Sequence, residues 1–192
     1  RIEGLRTSCS AFLVLLGLDI IPEVEPLTVV LAEDGAATLV GTLSKIDPSL
    51  ATPGYSRVQL SALIPSAEAK SWERGAPSYA NRKRQFGDTL IQAAERAIPE
   101  LRKHIVFREE ASPATFARYT GATHGAVSGL DIEEWRPSIQ APIRNLFLVG
   151  AGVAPRPGLE DAVRSALKVA DAVCRSEEER SAGESLELSS GA

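Results

Sequence analysis

The chain has 192 residues, 44% of them hydrophobic and 24% charged, with a net charge of -4 at pH 7. That length suffices for one domain with a sizeable core, or for most of one domain and part of another. The mild acidity recommends no nucleic acid as a partner. The longest apolar run, residues 11–16, is far too short to span a bilayer. No basic region followed by an apolar core opens the chain as a signal peptide would, so a cytoplasmic or peripheral membrane location is expected. Cys9 and Cys174 stand far apart with no Cys/His cluster, which predicts reduced thiols and no metal site. Methionine is absent and Arg1 is a poor residue to follow a removed initiator, so the chain reads as a piece of a longer protein.

In chain order, the apolar run within residues 8–19 predicts a strand ending at Gly17 and Asp19. A second strand is predicted over residues 27–32, closed by the turn signal Glu33-Asp34-Gly35. A weaker apolar patch surrounds Leu39 and Val40, and a loop rich in Pro48, Pro53 and Gly54 follows. Residues 57–64 alternate Val58, Leu60 and Ala62 against Arg57, Gln59 and Ser61, the period of a half-buried strand that Pro65 ends. Residues 67–77 read as a loop containing Trp72. Residues 79–98 read as the longest helix, with Phe86, Leu90, Ile91, Ala94 and Ile98 on its apolar face and Pro99 as its stop.

Residues 104–108 form another short strand pattern. Ser112 as N-cap and Pro113 at the first helical position then begin a compact helix. Gly121, Gly125 and Gly129 fall in a loop that is either disordered or lets a planar ligand lie against its backbone. An extended connector over residues 135–142 leads to a strand, glycine loop and helix over residues 145–174. Leu146 to Val149 is the apolar run of a strand buried on both faces, and Gly150, Gly152 and Gly158 permit a sharp turn. Leu159, Ala162, Val163, Ala166, Ala170 and Val173 recur at helical steps. Residues 175–192 are charged, then serine-rich, and read as a disordered tail.

The glycine spacing is G-x-G-x5-G, not the dinucleotide fingerprint, so pattern alone leaves two readings. One is a simple strand-to-helix connection; the other is a loop that brings an anionic or carbonyl-rich ligand to a helix N-terminus. His124 in the glycine loop is a candidate ligand contact or a solvated side chain, whereas His104 reads as structural. Arg82-Lys83-Arg84 could meet a phosphate or an anionic membrane, or be a solvated helix face. Glu160 and Asp161 favour the helix dipole by up to about 1 kcal/mol each, the alternative being a catalytic carboxylate. No G-x-S-x-G elbow is present, and no set of side chains looks able to carry acid, base or nucleophile chemistry alone. The catalytic residues are therefore unknown, and any enzyme chemistry falls to a cofactor.

Several motifs occur in a definite order. They are Thr7-Ser8-Cys9-Ser10-Ala11-Phe12 with Leu16-Gly17-Leu18-Asp19, Ser112-Pro113 leading to Phe116-Ala117-Arg118-Tyr119-Thr120-Gly121, Gly125-Ala126, and Arg136-Pro137. Asn145-Leu146-Phe147-Leu148-Val149-Gly150-Ala151-Gly152 follows, running through Pro157-Gly158 to Ala162 and Ser165-Ala166. This series resembles the C-terminal part of the phytoene desaturase family of FAD-dependent oxidoreductases, which includes carotenoid isomerases and retinol saturases.

The resemblance implies an α+β to α/β fold, the C-terminal portion of a two-domain FAD-binding oxidoreductase. Residues 1–110 would be part of a substrate domain with strands and one long helix. Residues 111–174 would close the FAD domain, whose N-terminal dinucleotide-binding half lies in the same protein but not in this chain. It implies FAD contacts at Gly150, Ala151, Gly152, Gly158, Leu159, Glu160, Asp161 and Ala162. It also implies hydride exchange with a hydrophobic polyene by desaturation, saturation or isomerisation, with peripheral membrane contact a further expectation and the chain alone inactive. Where family members often carry His-Pro-Gly-Gly, this chain has Val153-Ala154-Pro155-Arg156-Pro157, and Glu160-Asp161 is more acidic than expected beside a carotenoid. Both departures leave room for a smaller or more polar substrate. The alternatives are a flavin amine oxidase-like enzyme, and a non-catalytic binding module.

Overall fold

A computed structural model describes residues 4–32, 35–153, 156 and 158–190, with side chains described as far as 178. It divides into two compact units, Cys9–Val127 on the one hand and Arg1–Ser8 with Ser128–Ala192 on the other. The boundary expected near residue 110 falls inside the first of these units. The Ser112-Pro113 helix and the loop after it as far as Val127 pack within the first unit, and residues 4–8 and Gly129 belong to the second.

The Cys9–Val127 unit is built on a five-stranded sheet in the order β2-β3-β4-β1-β5. The strands are β1 (Ser10–Leu18), β2 (Leu27–Leu31), β3 (Ala37–Thr42), β4 (Ser56–Ile64) and β5 (Ile105–Ala111). Every pairing is antiparallel, with Val14 opposite Leu60, Val40 opposite Leu60 and Val29 opposite Leu39. The weak patch at Leu39-Val40 is thus a full strand, because its neighbours complete its backbone hydrogen bonds. Glu33 and Asp34 of the expected turn lie outside the described residues, although Ala32 N–H donates to the Ala36 carbonyl across it.

Alternate side chains leave a strand on opposite faces. On one face Phe12, Val14, Leu16 and Leu18 of β1, Val58, Leu60 and Ile64 of β4, and Val40 of β3 are buried. They meet α3 (Tyr79–Ala94) through Leu90, Ile91 and Ala94, the apolar stripe that the helical period predicts. The helix proper stops at Ala94, and turns carry Ile98 and Leu101 back into the same core. Short helices α1 (Leu43–Ile46) and α2 (Ser66–Ala69) precede it. Trp72, expected in a plain loop, is only 5% exposed. It packs on Phe12 with ring centroids 5.5 Å apart, and edge-on to Phe86 at 5.8 Å. Arg82 lies over the Trp72 ring at 4.1 Å, and Arg84 faces Glu110 at 3.6 Å, so two of the three clustered bases are engaged within the protein.

α4 (Pro113–Thr120) starts as the Ser112-Pro113 pair predicts, with Thr115 Oγ1 accepting from the Ser112 N–H at 3.2 Å. Ser112 Oγ also shares a hydrogen bond of 2.8 Å with the Tyr79 hydroxyl, which ties α4 to α3. Gly121, with φ 69°, ends the helix in the left-handed conformation.

Arg108 on β5 reaches over α3 at Gly87, where a methyl group would lie 2.7 Å from the guanidinium. Arg108 donates to Glu110 at 2.6 Å and to Asp88 at 2.5 Å. The bond from Arg108 holds the Asp88 carboxyl below its ordinary pKa. A depressed carboxylate adds stability above its unfolded pKa and loses it as pH falls through the folded value. Asp88→Asn should therefore be less stable than the parent at neutral pH, and the difference should vanish as pH falls through the folded value, leaving a shallower acid limb below the ordinary aspartate range. An unchanged acid limb in a urea titration across that range would contradict the pairing.

Candidate functional site

Within the second unit, residues 139–148 fold as a short hairpin. Leu148 N–H donates to the Ile139 carbonyl and Ala141 N–H to the Leu146 carbonyl, with Asn145 at φ 62° in the turn. The strand expected to be buried on both faces is reduced to the single bridge Gln140 to Phe147. Leu146 and Val149 remain 41% and 59% exposed, because no described strand covers them.

The chain then turns at Gly150 (φ 108°) and Gly158 (φ 136°) into α5 (Leu159–Ser190). Ala154, Pro155 and Pro157 of this loop lie outside the described residues. Gly150 N–H donates to Ser165 Oγ at 2.9 Å, and the same hydroxyl donates to the Ala162 carbonyl at 2.7 Å. The turn is thereby fastened to the first turns of the helix. The Ala151 carbonyl sits against Gly129, where any side chain would come within 2.7 Å of it. Gly129 has φ 74°, so both its conformation and its surroundings require glycine.

Of the residues implied in cofactor contact, Gly150, Ala151 and Gly158 are half-buried and Gly152 is exposed. Leu159 is exposed, and Glu160 is exposed and paired with Arg164 at 2.8 Å. Asp161 is buried and paired with Arg156 at 3.1 Å, and Ala162 is half-buried. The Asp161 contact uses the carboxylate to favour the helix N-terminus and to hold the loop. The bonds that Ser165 makes and the close approach at Gly129 were not expected; a serine at the seventh residue of a helix carries no local signal of a bond back to a turn.

The apolar side of α5 is largely uncovered among the described residues, and Leu167 joins Leu159 and Val163 on it. Leu159, Val163 and Leu167 are 84%, 52% and 62% exposed, while Asp161 and Ser165 are buried. The bonds to Arg156 and Gly150 turn the polar side inward and leave the apolar stripe uncovered. Residues 175–190 of the segment read from the sequence as a disordered tail lie in α5, which continues to Ser190. Glutamate, arginine, alanine and leucine in residues 175–187 are strong helix formers, and extending a helix already nucleated adds one hydrogen bond per residue ordered.

A flavin's diphosphate and ring edge need backbone that a large group can approach. Among the described residues, a side chain placed on Gly150, Gly152 or Gly158 would meet nothing within 4 Å, and α5 begins there with its first amides free of helical partners. These residues fit one wall of such a site.

The Cys9–Val127 unit holds a second candidate surface, the sheet face opposite α3. Leu27, Val29, Leu31, Leu39 and Leu63 are all exposed on it. A groove of about 500 Å³ runs there between Leu13, Val29, Leu39, Leu63, Phe116 and Val127. His124 lies outside that groove, exposed, with φ 53°. His104 bonds Asp19 at 2.8 Å beside the sheet, as a structural histidine would. Among the described residues no helix is long and apolar enough to cross a membrane.

An antiparallel sheet with one helix-covered face and one open apolar face, together with a glycine turn entering a helix, defines an α+β protein. The comparisons agree on the fold. An oxidoreductase of known structure from Methanosarcina mazei aligns over 88% of this chain and 35% of its own, with TM-score 0.52 and 14% identity. By sequence, the phytoene desaturase (lycopene-forming) of Paracoccus sp. (strain N81106 / MBIC 01143) is 33% identical over 62% of this chain and 24% of its own length. The 4,4'-diaponeurosporene oxygenase of Staphylococcus aureus is 26% identical over 75% of this chain and 29% of its own. No family model matches. The chain is related to the C-terminal region of the carotenoid desaturase-like oxidoreductases, and spans about a quarter of the length of these curated relatives.

Proposed function

We propose that this chain is the C-terminal portion of a two-domain FAD-dependent oxidoreductase that acts on a hydrophobic polyene by desaturation, saturation or isomerisation. The observation that carries the reading is the open sheet face, an aliphatic groove of about 500 Å³ with Phe116 as its one aromatic lining residue. Such a wall suits an extended hydrocarbon, whereas an amine oxidase would need an aromatic cage. The relatives' names, a desaturase and an oxygenase of carotenoids, support the same substrate class.

The Cys9–Val127 unit is then part of the substrate domain, and the glycine turn with the start of α5 closes the FAD domain. When bound, the flavin supplies the hydride chemistry. Gly150, Gly152 and Gly158 let it approach the backbone, and Ser165 holds the turn. The first-turn amides of α5 favour negative charge near them. The uncovered stripe of Leu159, Val163 and Leu167 and the exposed Val149 are the surface that an N-terminal half would cover.

The test is to express the chain alone and joined to the segment encoded immediately upstream. The joined protein should retain flavin through gel filtration and bleach anaerobically when a polyene is added. Ser165→Ala should weaken flavin retention by roughly fivefold, the effect of losing about 1 kcal/mol. A joined protein that folds but carries no flavin would favour the non-catalytic binding module.

A further inference from the structure

The open face changes character along its strands. Side chains on this face fall in rows across the sheet, set by the strand register. One row is Ala111, Leu13, Ser61, Leu39 and Val29, and Ala11 opposite Leu63 lies beside it. The next row is Glu109, Leu15, Gln59 and Gly41, and the last is Phe107, Gly17 and Arg57. From Ala11 to Gly17 is about 20 Å along the strand. Over that length the surface passes from aliphatic to charged.

At the charged end lies a second groove, of about 420 Å³, lined by Leu15, Gly17, Tyr55, Arg57, Phe107 and Glu109. Gly17 has no side chain to fill the space between Arg57 and Phe107. The register places the Cα positions of Arg57 and Glu109 about 12 Å apart, on either side of β1. Two side chains of this length can converge above Leu15 and Gly17. Beyond the strand ladder, the bond that Arg57 makes among the described residues is through its backbone N–H, to Ser44 Oγ. Neither its guanidinium nor the Glu109 carboxylate has a described partner.

We infer that this face takes a linear apolar molecule ending in a hydroxyl, with Arg57 donating to the hydroxyl oxygen and Glu109 accepting the hydrogen bond that the hydroxyl donates. The inference rests on the reading of the open face as the substrate wall, and adds the end-group chemistry. A hydroxyl both accepts and donates, so it satisfies both charges at once. A terminal carboxylate would meet Glu109 with like charge. A plain hydrocarbon end would desolvate two charged groups without replacing their hydrogen bonds. Sites with committed polar groups reject the analogue that lacks the hydroxyl far more strongly than an apolar pocket discriminates by size.

The test is equilibrium binding to the complete protein of a linear polyene hydrocarbon, the same polyene with one terminal hydroxyl, and the corresponding acid, all delivered in detergent. The expected result is at least tenfold tighter binding of the alcohol than of the hydrocarbon, with the acid weaker than the alcohol. Arg57→Leu and Glu109→Gln should each remove that preference by lowering alcohol affinity towards that of the hydrocarbon, whose own binding then desolvates one charge fewer. Both side chains are exposed, so neither change threatens the fold. Leu63→Asp, in the aliphatic part, should weaken all three ligands. If Leu63→Asp does so but alcohol and hydrocarbon bind equally, or the acid binds best, the end-group inference falls and the substrate wall stands. If Leu63→Asp leaves all three unchanged, the wall reading fails and this inference falls with it.

Discussion

Replacing Gly125 by alanine is expected to destabilise the Cys9–Val127 unit by about 3 kcal/mol or more. Gly125 adopts φ 68°, and its added methyl would lie 2.2 Å from the Pro113 carbonyl oxygen and 3.0 Å from Phe116 Cβ. The obstruction is backbone at the start of α4, so a rotamer change cannot relieve it. The loop cannot easily withdraw either, because the Gly125 carbonyl accepts from buried Ser10 Oγ at 2.6 Å and Val127 N–H donates to the Cys9 carbonyl at 3.1 Å. Moving it would also displace Phe116 and Val127, which line the aliphatic groove. Gly121→Ala separates the two causes. Gly121 has φ 69° but nothing within 4 Å of an added methyl, so it should cost only the left-handed conformation, about 1–2 kcal/mol. Urea unfolding of both variants measures the difference, and equal losses would contradict the close approach of the loop to α4.

Phe12→Ala should cost about 3–5 kcal/mol. Phe12 is fully buried on the central strand β1, 4.7 Å from the Phe86 ring and 5.5 Å from that of Trp72. It therefore joins the sheet, α3 and the segment between α2 and α3, and its removal leaves a cavity among rings that cannot collapse together. Leu63→Ala offers the contrast. Leu63 is 71% exposed on the other face, so it should change stability by less than about 0.5 kcal/mol. If its loss weakens polyene binding while stability holds, that leucine serves the surface and not the core. Thermal unfolding of the two variants decides the point.

Much of the local structure was legible in the residues. The alternation of residues 57–64 announced β4, and the helical stripe of Phe86, Leu90, Ile91 and Ala94 announced α3. Ser112-Pro113 marked the start of α4, and Gly158 before Leu159 marked the start of α5. Each of these signals depends on neighbours within a turn or two. The position of Trp72 was not legible, because an isolated aromatic residue in an aperiodic stretch has no period to place it. Nor was the open face: β1 is apolar on both sides, so its sequence does not distinguish the side that meets α3 from the side left free.

The second unit shows the same division. The sequence by itself determined that residues 145–174 would turn through glycines into a helix, since backbone freedom and side-chain period are local properties. Only the tertiary structure decided that Ser165 and Asp161 bind the turn and face inward, that Leu159, Val163 and Leu167 remain outside, and that Gly129 receives the Ala151 carbonyl. It also assembled the aliphatic and charged rows of the sheet from strands up to about a hundred residues apart. The physical reason is that a dihedral preference belongs to one residue and its neighbours. Burial and ligand contact belong to pairs of surfaces, and those exist only once strands distant in sequence have been set in register.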